Sequence, residues 1–315
     1  MFQILSIKGT INFLRHAVAI SGLSLILVLA SLGSLAVKGI NWGLDFTGGT
    51  VVEMEFENPV DLNKLRAALT SDETDGAVVQ NFGSSRDVLI RLPVKEGVKS
   101  DLQVEHVMEA AAKVDPSVTQ KRVEFVGPQV GKELAEQGGL AVLVALICIL
   151  IYVSFRFEWR LALGSVAALA HDVIITLGVF SMFQLEFDLT VLAGVLTVVG
   201  YSLNDTIVVF DRIRENFLKM RKGTPVDVVN NSITQTMSRT IITTGTTLVV
   251  VVALFLKGGT MIHGFATALL MGIFVGTFSS IYVASFLAVK LGINREHMMP
   301  VEIEKEGADQ DALMP

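Results

Sequence analysis

Two aspartates set in apolar surroundings are the residues of this sequence best placed to do chemistry. Asp205 lies in GYSLNDTIVVF and Asp172 in ALAHDVIITLG. A carboxylate inside an apolar run is costly unless it meets a partner or water, so each is read first as a functional group. Asp205 falls about six residues, roughly 9 Å along a helix, before Asp211 and Arg212. Ser202 lies one helical turn back and shares its face, whereas Asn204 points about 100° away. The chemistry on offer is reversible proton uptake, with burial and a nearby cation acting in opposite senses. Arg239, in TMSRTIITTGTT, has a stem long enough to reach inward. Its movement towards or away from Asp205 would switch the proton affinity. The plainer alternatives are a hydrated carboxylate near an interface and an arginine that only anchors a helix end.

Asp172 falls about eleven residues into its run, near mid-membrane, where a charge needs a partner or a proton. His171 beside it reads as a hydrogen-bonded helix contact or as a proton relay. Thr243, Thr244, Thr246 and Thr247 crowd one stretch and either pack helices or line a water path. GLDFTGG at 43–49 holds three glycines and an aspartate. A strand follows it and no helix does, so it reads as a tight turn and not as a phosphate loop. The Walker lysine motif, HExxH and GxSxG are absent. Cys148 is the only cysteine, which excludes an intrachain disulfide and a thiolate pair on a metal. No cofactor and no metal are expected.

The elements that must position these groups follow from hydropathy. Of 315 residues, 51% are hydrophobic and 18% charged, and mean hydropathy is +0.57. That is too little charge to cover a soluble surface of this size, and the apolar residues come in blocks. The net charge of −6 argues against a nucleic-acid binder. The first block runs from about 17 to 37; its length favours an uncleaved helix over a signal peptide, despite the small residues at Ser34–Ala36. Five more blocks follow at about 139–155, 161–183, 189–210, 241–257 and 265–289, each long enough to span. Gly272 and Gly276 in the last form a G-x-x-x-G, consistent with packing to a partner.

Between the first two spans the pattern changes. Residues 50–56 (TVVEMEF), 78–82, 88–92 and 118–126 read as strands, 61–69 and 101–113 as helices, with a turn at GSSRD. The order β-α-β-β-α-β predicts a small ferredoxin-like α+β domain over 38–137. The chain therefore divides into 1–37 (N-terminus and helix 1), 38–137, 138–290 (helices 2–6) and a tail at 291–315, whose acidic end VEIEKEGADQDALMP reads as disordered. Lys and Arg gather at Lys8 and Arg15, at Arg156 and Arg160, through 211–240, and at Lys290 and Arg295. The loops at 184–188 and 258–263 have neither. This bias predicts cytoplasmic termini, a cytoplasmic 211–240 loop and an external 38–137 domain. Within the loop, Thr224-Pro225 starts an amphipathic helix with Val226, Val229, Ile233 and Met237 on one face, lying against the membrane or other helix ends.

NWGLDFTGGT at 41–50, QNFGSS at 80–85, ALAHDVIITLG at 168–178, GYSLNDTIVVFDRIREN at 200–216 and SITQTMSRTIITTGTT at 232–247 together carry a specific resemblance. Over about 5–295 the sequence resembles the SecF family, the smaller membrane subunits of the SecD–SecF complex of bacterial protein export. The resemblance implies a six-helix half of an RND-type transporter, completed to twelve helices by SecD in a heterodimer. It implies a multi-pass protein of the bacterial inner membrane that is not an enzyme and uses the proton-motive force to drive preprotein export. The implied partners are SecD, the SecYEG translocon, YajC and YidC, the preprotein at the periplasmic side and membrane lipid. By position, Asp205, Arg239 and Asp172 match the residues of proton transport, with Asn204, Ser202, His171, Thr243 and Thr247 as possible support. Two rival readings use the same residues: a half-size proton-coupled exporter of small molecules, and an intramembrane hydrolase built on the two aspartates.

Overall fold

The structure is a computed structural model that describes residues 9–69, 74–82, 84–94, 98 and 100–298. Lys8 and the 301–315 part of the acidic tail lie outside the described residues. In chain order the elements are α1 (Ala17–Lys38), β1 (Asn41–Trp42), α2 (Leu44–Thr47), β2 (Gly49–Glu55), α3 (Leu62–Ala68), β3 (Val78–Phe82), β4 (Ser84–Leu92), α4 (Ser100–Val114) and β5 (Thr119–Val126). Then come α5 (Pro128–Arg156), α6 (Trp159–Met182), β6 (Glu186–Phe187), α7 (Leu189–Lys219), α8 (Pro225–Lys257), α9 (Thr260–Phe278), a π-helical turn (Ser279–Ala284) and α10 (Ser285–Lys290). Among the described residues six helical segments are long and apolar enough to cross a membrane, the last running through α9, the π turn and α10.

The soluble unit is a four-stranded antiparallel sheet ordered β3-β4-β2-β5, with α3 and α4 on one face. That order is the ferredoxin-like one expected from β-α-β-β-α-β. Its core alternates along the strands, as period two requires: Val52, Met54, Val88, Ile90 and Leu92 meet Leu65, Val107 and Ala111 from the helices. Asp61 caps α3 by accepting a hydrogen bond from the Asn63 N–H at 2.9 Å. The expected GSSRD turn is strand from Ser84 on, and its Gly83 lies outside the described residues. Ser84 already pairs with Phe82, and its hydroxyl donates to Asp87 at 2.5 Å within the strand.

The membrane helices start where capping chemistry places them. Pro128 opens α5, the Glu158 carboxylate accepts from the Arg160 N–H at α6, and Asp188 accepts from the Val191 N–H at α7. Thr224 and Asp227 form a capping box at α8. One expectation is corrected here. The amphipathic segment after Pro225 is not a separate helix, because α8 continues unbroken to Lys257. Val229 and Ile233 are fully buried against Phe210, Ile213 and Phe217 of α7, so its apolar face packs on other helix ends.

α6, α7 and α9 form the centre of the bundle, and α1, α5 and α8 flank it with largely exposed apolar faces. The glycine pair on α9 faces this chain and no outside partner. A Cβ on Gly272 would stand 2.2 Å from Val198 Cγ2, and one on Gly276 3.1 Å from Ser202 Cβ, so the pair lets α9 lie directly on α7. At the charged end, Arg156 reaches both carboxylate oxygens of Asp211 at 2.6 Å and ties α5 to α7.

Candidate functional site

Asp172 sits near the middle of α6 and Asp205 near the middle of α7, and both face the bundle interior. Asp172 is 0% exposed and Asp205 6%. At that depth every lone pair needs a donor, and each carboxylate has its own set. Asp172 Oδ2 accepts from Ser202 Oγ at 2.5 Å and from Ser279 Oγ at 2.8 Å, and its Oδ1 lies 2.8 Å from His171 Nδ1. Asp205 Oδ1 accepts from Thr240 Oγ1 at 2.8 Å, and its Oδ2 from Ser280 Oγ at 3.1 Å. Four elements thus converge: α6, α7, α8 and the π turn. Gly276 keeps the space clear, since a Cβ there would stand 3.3 Å from Asp172 Oδ2.

Among the described residues His171 Nε2 is buried without a hydrogen-bond partner. Its other ring nitrogen, Nδ1, is the one turned to Asp172. Arg239 stands one residue before Thr240 on α8. It is exposed and forms no ion pair with Asp205. The direct holder of Asp205 on this helix is therefore Thr240.

The other sequence candidates divide. Ser202 shares a helix face with Asp205 but donates across to Asp172. Asn204 is exposed. Thr243 and Thr247 donate to the carbonyls of Arg239 and Thr243 on their own helix, which removes them from the carboxylates. Thr244 is buried and lies within hydrogen-bond distance of Thr277 and Tyr201. Ser279, Ser280 and Thr240 went unnoticed in the sequence. The only available signal was a run of hydroxyl residues, SS at 279–280, beside the last glycine pair.

Comparison with known proteins places this architecture. The family model described as protein export membrane protein SecD/SecF, C-terminal, matches residues 106–294, and the SecD/SecF GG motif matches residues 33–60. The chain belongs to the SecD/SecF family. It is 60% identical to the protein translocase subunit SecF of Vibrio alginolyticus, over 99% of this chain and 100% of that one. It is 51% identical to the protein of the same name from Escherichia coli O157:H7, over 96% and 95%. The crystal structure of SecDF, a translocon-associated membrane protein from Thermus, matches with a TM-score of 0.81 and 40% identity over 91% of this chain. This chain spans 39% of the length of that SecDF chain. With the SecF relatives and six apolar helices, it is a multi-pass membrane protein.

The SecD/SecF glycine motif is where the sheet unit meets the helices. β1 pairs in parallel with β6, and Gly43 N–H donates to the Phe187 carbonyl at 2.8 Å. Leu44–Thr47 forms one helical turn within the tight turn expected there, and Gly48 leaves it at φ +68°. Gly49, at φ +132°, would put a Cβ 2.4 Å from the Leu92 carbonyl oxygen, so only glycine fits. Arg91 of β4 joins the same corner, pairing with Glu186 at 2.5 Å and donating to the Trp42 carbonyl at 2.9 Å. Asp45 Oδ2 accepts from the Leu189 N–H at 3.0 Å, so a residue of the motif caps the helix that carries Asp205. Asp45→Ala is expected to cost about 1 kcal/mol, read as a lower thermal midpoint of the purified chain in detergent. An unchanged midpoint would show that this cap contributes nothing.

Proposed function

We propose that this chain acts with a SecD-type subunit as an accessory of the Sec translocon, using the proton-motive force to drive or complete preprotein export across the bacterial inner membrane. The observation that carries the reading is the pair of buried carboxyls at the centre of the bundle, Asp172 and Asp205, joined by hydroxyls from neighbouring helices. A structural anchor has no use for two acids at that depth, where each costs several kcal/mol. Protons enter from outside, bind Asp205 and leave to the cytoplasm. Arg239, which forms no ion pair among the described residues, is the cation whose approach to Asp205 releases the proton. Asp172 and His171 form the second station, and Ser202 holds it. The Lys and Arg bias supports cytoplasmic termini and a periplasmic sheet unit. The glycine motif then carries helix movement to the sheet unit, where the preprotein is met.

The partners follow from size and surface. The Thermus SecDF chain is more than twice as long, which supports a SecD half pairing with this one in an RND-type assembly. The exposed apolar residues of α5 and α8, among them Leu143, Ile147, Val249 and Leu256, suit a second helical half or lipid. SecYEG, YajC and YidC complete the proposed set. The test is preprotein release in membrane vesicles that contain or lack this chain together with its SecD-type subunit, with and without a protonophore. Release should rise only where the chain and the gradient are both present. Equal release with and without the gradient in the complete vesicles would refute the proton drive.

A further inference from the structure

Ser279 and Ser280 are consecutive, yet they serve different carboxyls on different helices. Ser279 Oγ donates to Asp172 of α6, and Ser280 Oγ donates to Asp205 of α7. A regular α-helix turns about 100° per residue, so neighbours diverge. The π-helical turn at Ser279–Ala284 widens the helix where both hydroxyls meet the site. Such turns recur at functional sites. Each hydroxyl also has a second acceptor within reach. Ser279 Oγ lies 3.1 Å from the Gly276 carbonyl oxygen, and Ser280 Oγ lies 3.1 Å from that of Thr277. One hydroxyl proton can serve only one acceptor at a time.

We propose that the Ser279–Ser280 pair is a hydrogen-bond switch that couples the proton occupancy of Asp172 to that of Asp205. While a carboxyl is ionised, its serine donates to it. Once the carboxyl takes a proton, its own O–H donates to the serine oxygen, and the serine proton turns to the backbone carbonyl. No proton leaves either serine; only the direction of donation reverses. Because the two serines share one peptide unit, a change at one carboxyl alters the π turn that holds the other. Beside the two carboxyls, the ionisable groups on the packed elements among the described residues are His171 on α6, whose Nδ1 lies 2.8 Å from Asp172 Oδ1, and Arg239 on α8, exposed one residue before Thr240. Tyr201 of α7 turns its hydroxyl to Thr244, and Tyr282 of the π turn packs edge-on against Phe13 near α1. The serines are positioning residues, and the inference rests on the proton reading above for its purpose but not for its test.

The test is infrared difference titration of the full-length chain in membranes, with the carboxyl C=O bands assigned by Asp172→Asn and Asp205→Asn. In the wild-type background, Asp172→Asn should displace the midpoint of the Asp205 band by about one pH unit, the scale at which two sites titrate as a pair. In the Ser279→Ala/Ser280→Ala background the displacement should fall to a small fraction of that. The Ser279→Thr/Ser280→Thr pair, which keeps both hydroxyls, should retain it. If the alanine pair fails to accumulate, Ser279→Cys/Ser280→Cys, close in volume but a weak donor, carries the same expectation. An undiminished displacement without the serine hydroxyls overturns the switch. Loss of gradient dependence is a separate readout, so the proton drive can fail while this coupling stands.

Discussion

Asp205→Asn is expected to abolish gradient-dependent stimulation of export while the chain still folds and joins its SecD-type subunit. The site explains why these outcomes separate. Asparagine matches aspartate in shape, and its carbonyl oxygen can still accept from Thr240, now at 2.8 Å from Oδ1. Its amide would face Ser280, whose oxygen can accept while its proton turns to the Thr277 carbonyl, 3.1 Å away. Packing and hydrogen bonds survive, and titration is the property lost. A proton crossing the membrane carries about 2.3 kcal/mol per 100 mV, about fiftyfold in an equilibrium, so its loss is large enough to measure. Preprotein release from energised vesicles should fall to the level seen with a protonophore. Co-purification with the partner should be unchanged. Full stimulation in the Asp205→Asn variant would sink the mechanism.

The large features of this molecule were legible in the sequence because they rest on long-wavelength patterns. Six apolar blocks gave six spanning helices, and β-α-β-β-α-β gave the sheet order β3-β4-β2-β5. Asp172 and Asp205 were legible because an acid stands out in an apolar run. Their partners were not. Ser202 was assigned to Asp205 by spacing along one helix, but spacing cannot show which tertiary neighbour stands in front of its hydroxyl. Asp172 of α6 is that neighbour. Ser279 and Ser280 look like ordinary helix serines, and nothing in their residue types announces a π turn. The continuity of α8 was hidden for a different reason. Its first turns, PVDVVNNSITQTMSR, are polar because they pack on α7 and hydrogen-bond to it and to the N-terminal segment, as Ser232 with Asn216 and Asn230 with Leu14. Hydropathy reports solvent, and those contacts are with protein. The role of GLDFTGG also lay beyond local reading, since Asp45 acts on a helix whose first residue is Leu189.

Gly178→Ala should loosen the bundle measurably, against the direction that helix propensity alone would give. Alanine is favoured over glycine in a helix interior by about 1 kcal/mol, so an open position would gain stability. Gly178 is not open. A Cβ there would stand 2.2 Å from both Cβ and Oγ of Ser31 and 2.8 Å from its Cα, with Ser31 buried on α1. A backbone atom cannot swing aside, so α1 must move off α6. One turn further on, that shift breaks the 3.0 Å hydrogen bond between Ser34 and Ser181. Overpacking of this kind costs about 1–3 kcal/mol, which outweighs the propensity gain over most of its range. Gly200→Ala on α7 is the control, since a Cβ there meets nothing within 4 Å. The thermal midpoint of the purified chain in detergent should fall for Gly178→Ala and hold or rise for Gly200→Ala. Adding Ser31→Gly to Gly178→Ala removes the two closest contacts but leaves the Cα of residue 31 at 2.8 Å, so it should recover only part of the loss. Equal midpoints for the two alanine variants would mean that α1 does not rest on α6 through Gly178, and the helix carrying Asp172 would then lack the support assigned to it.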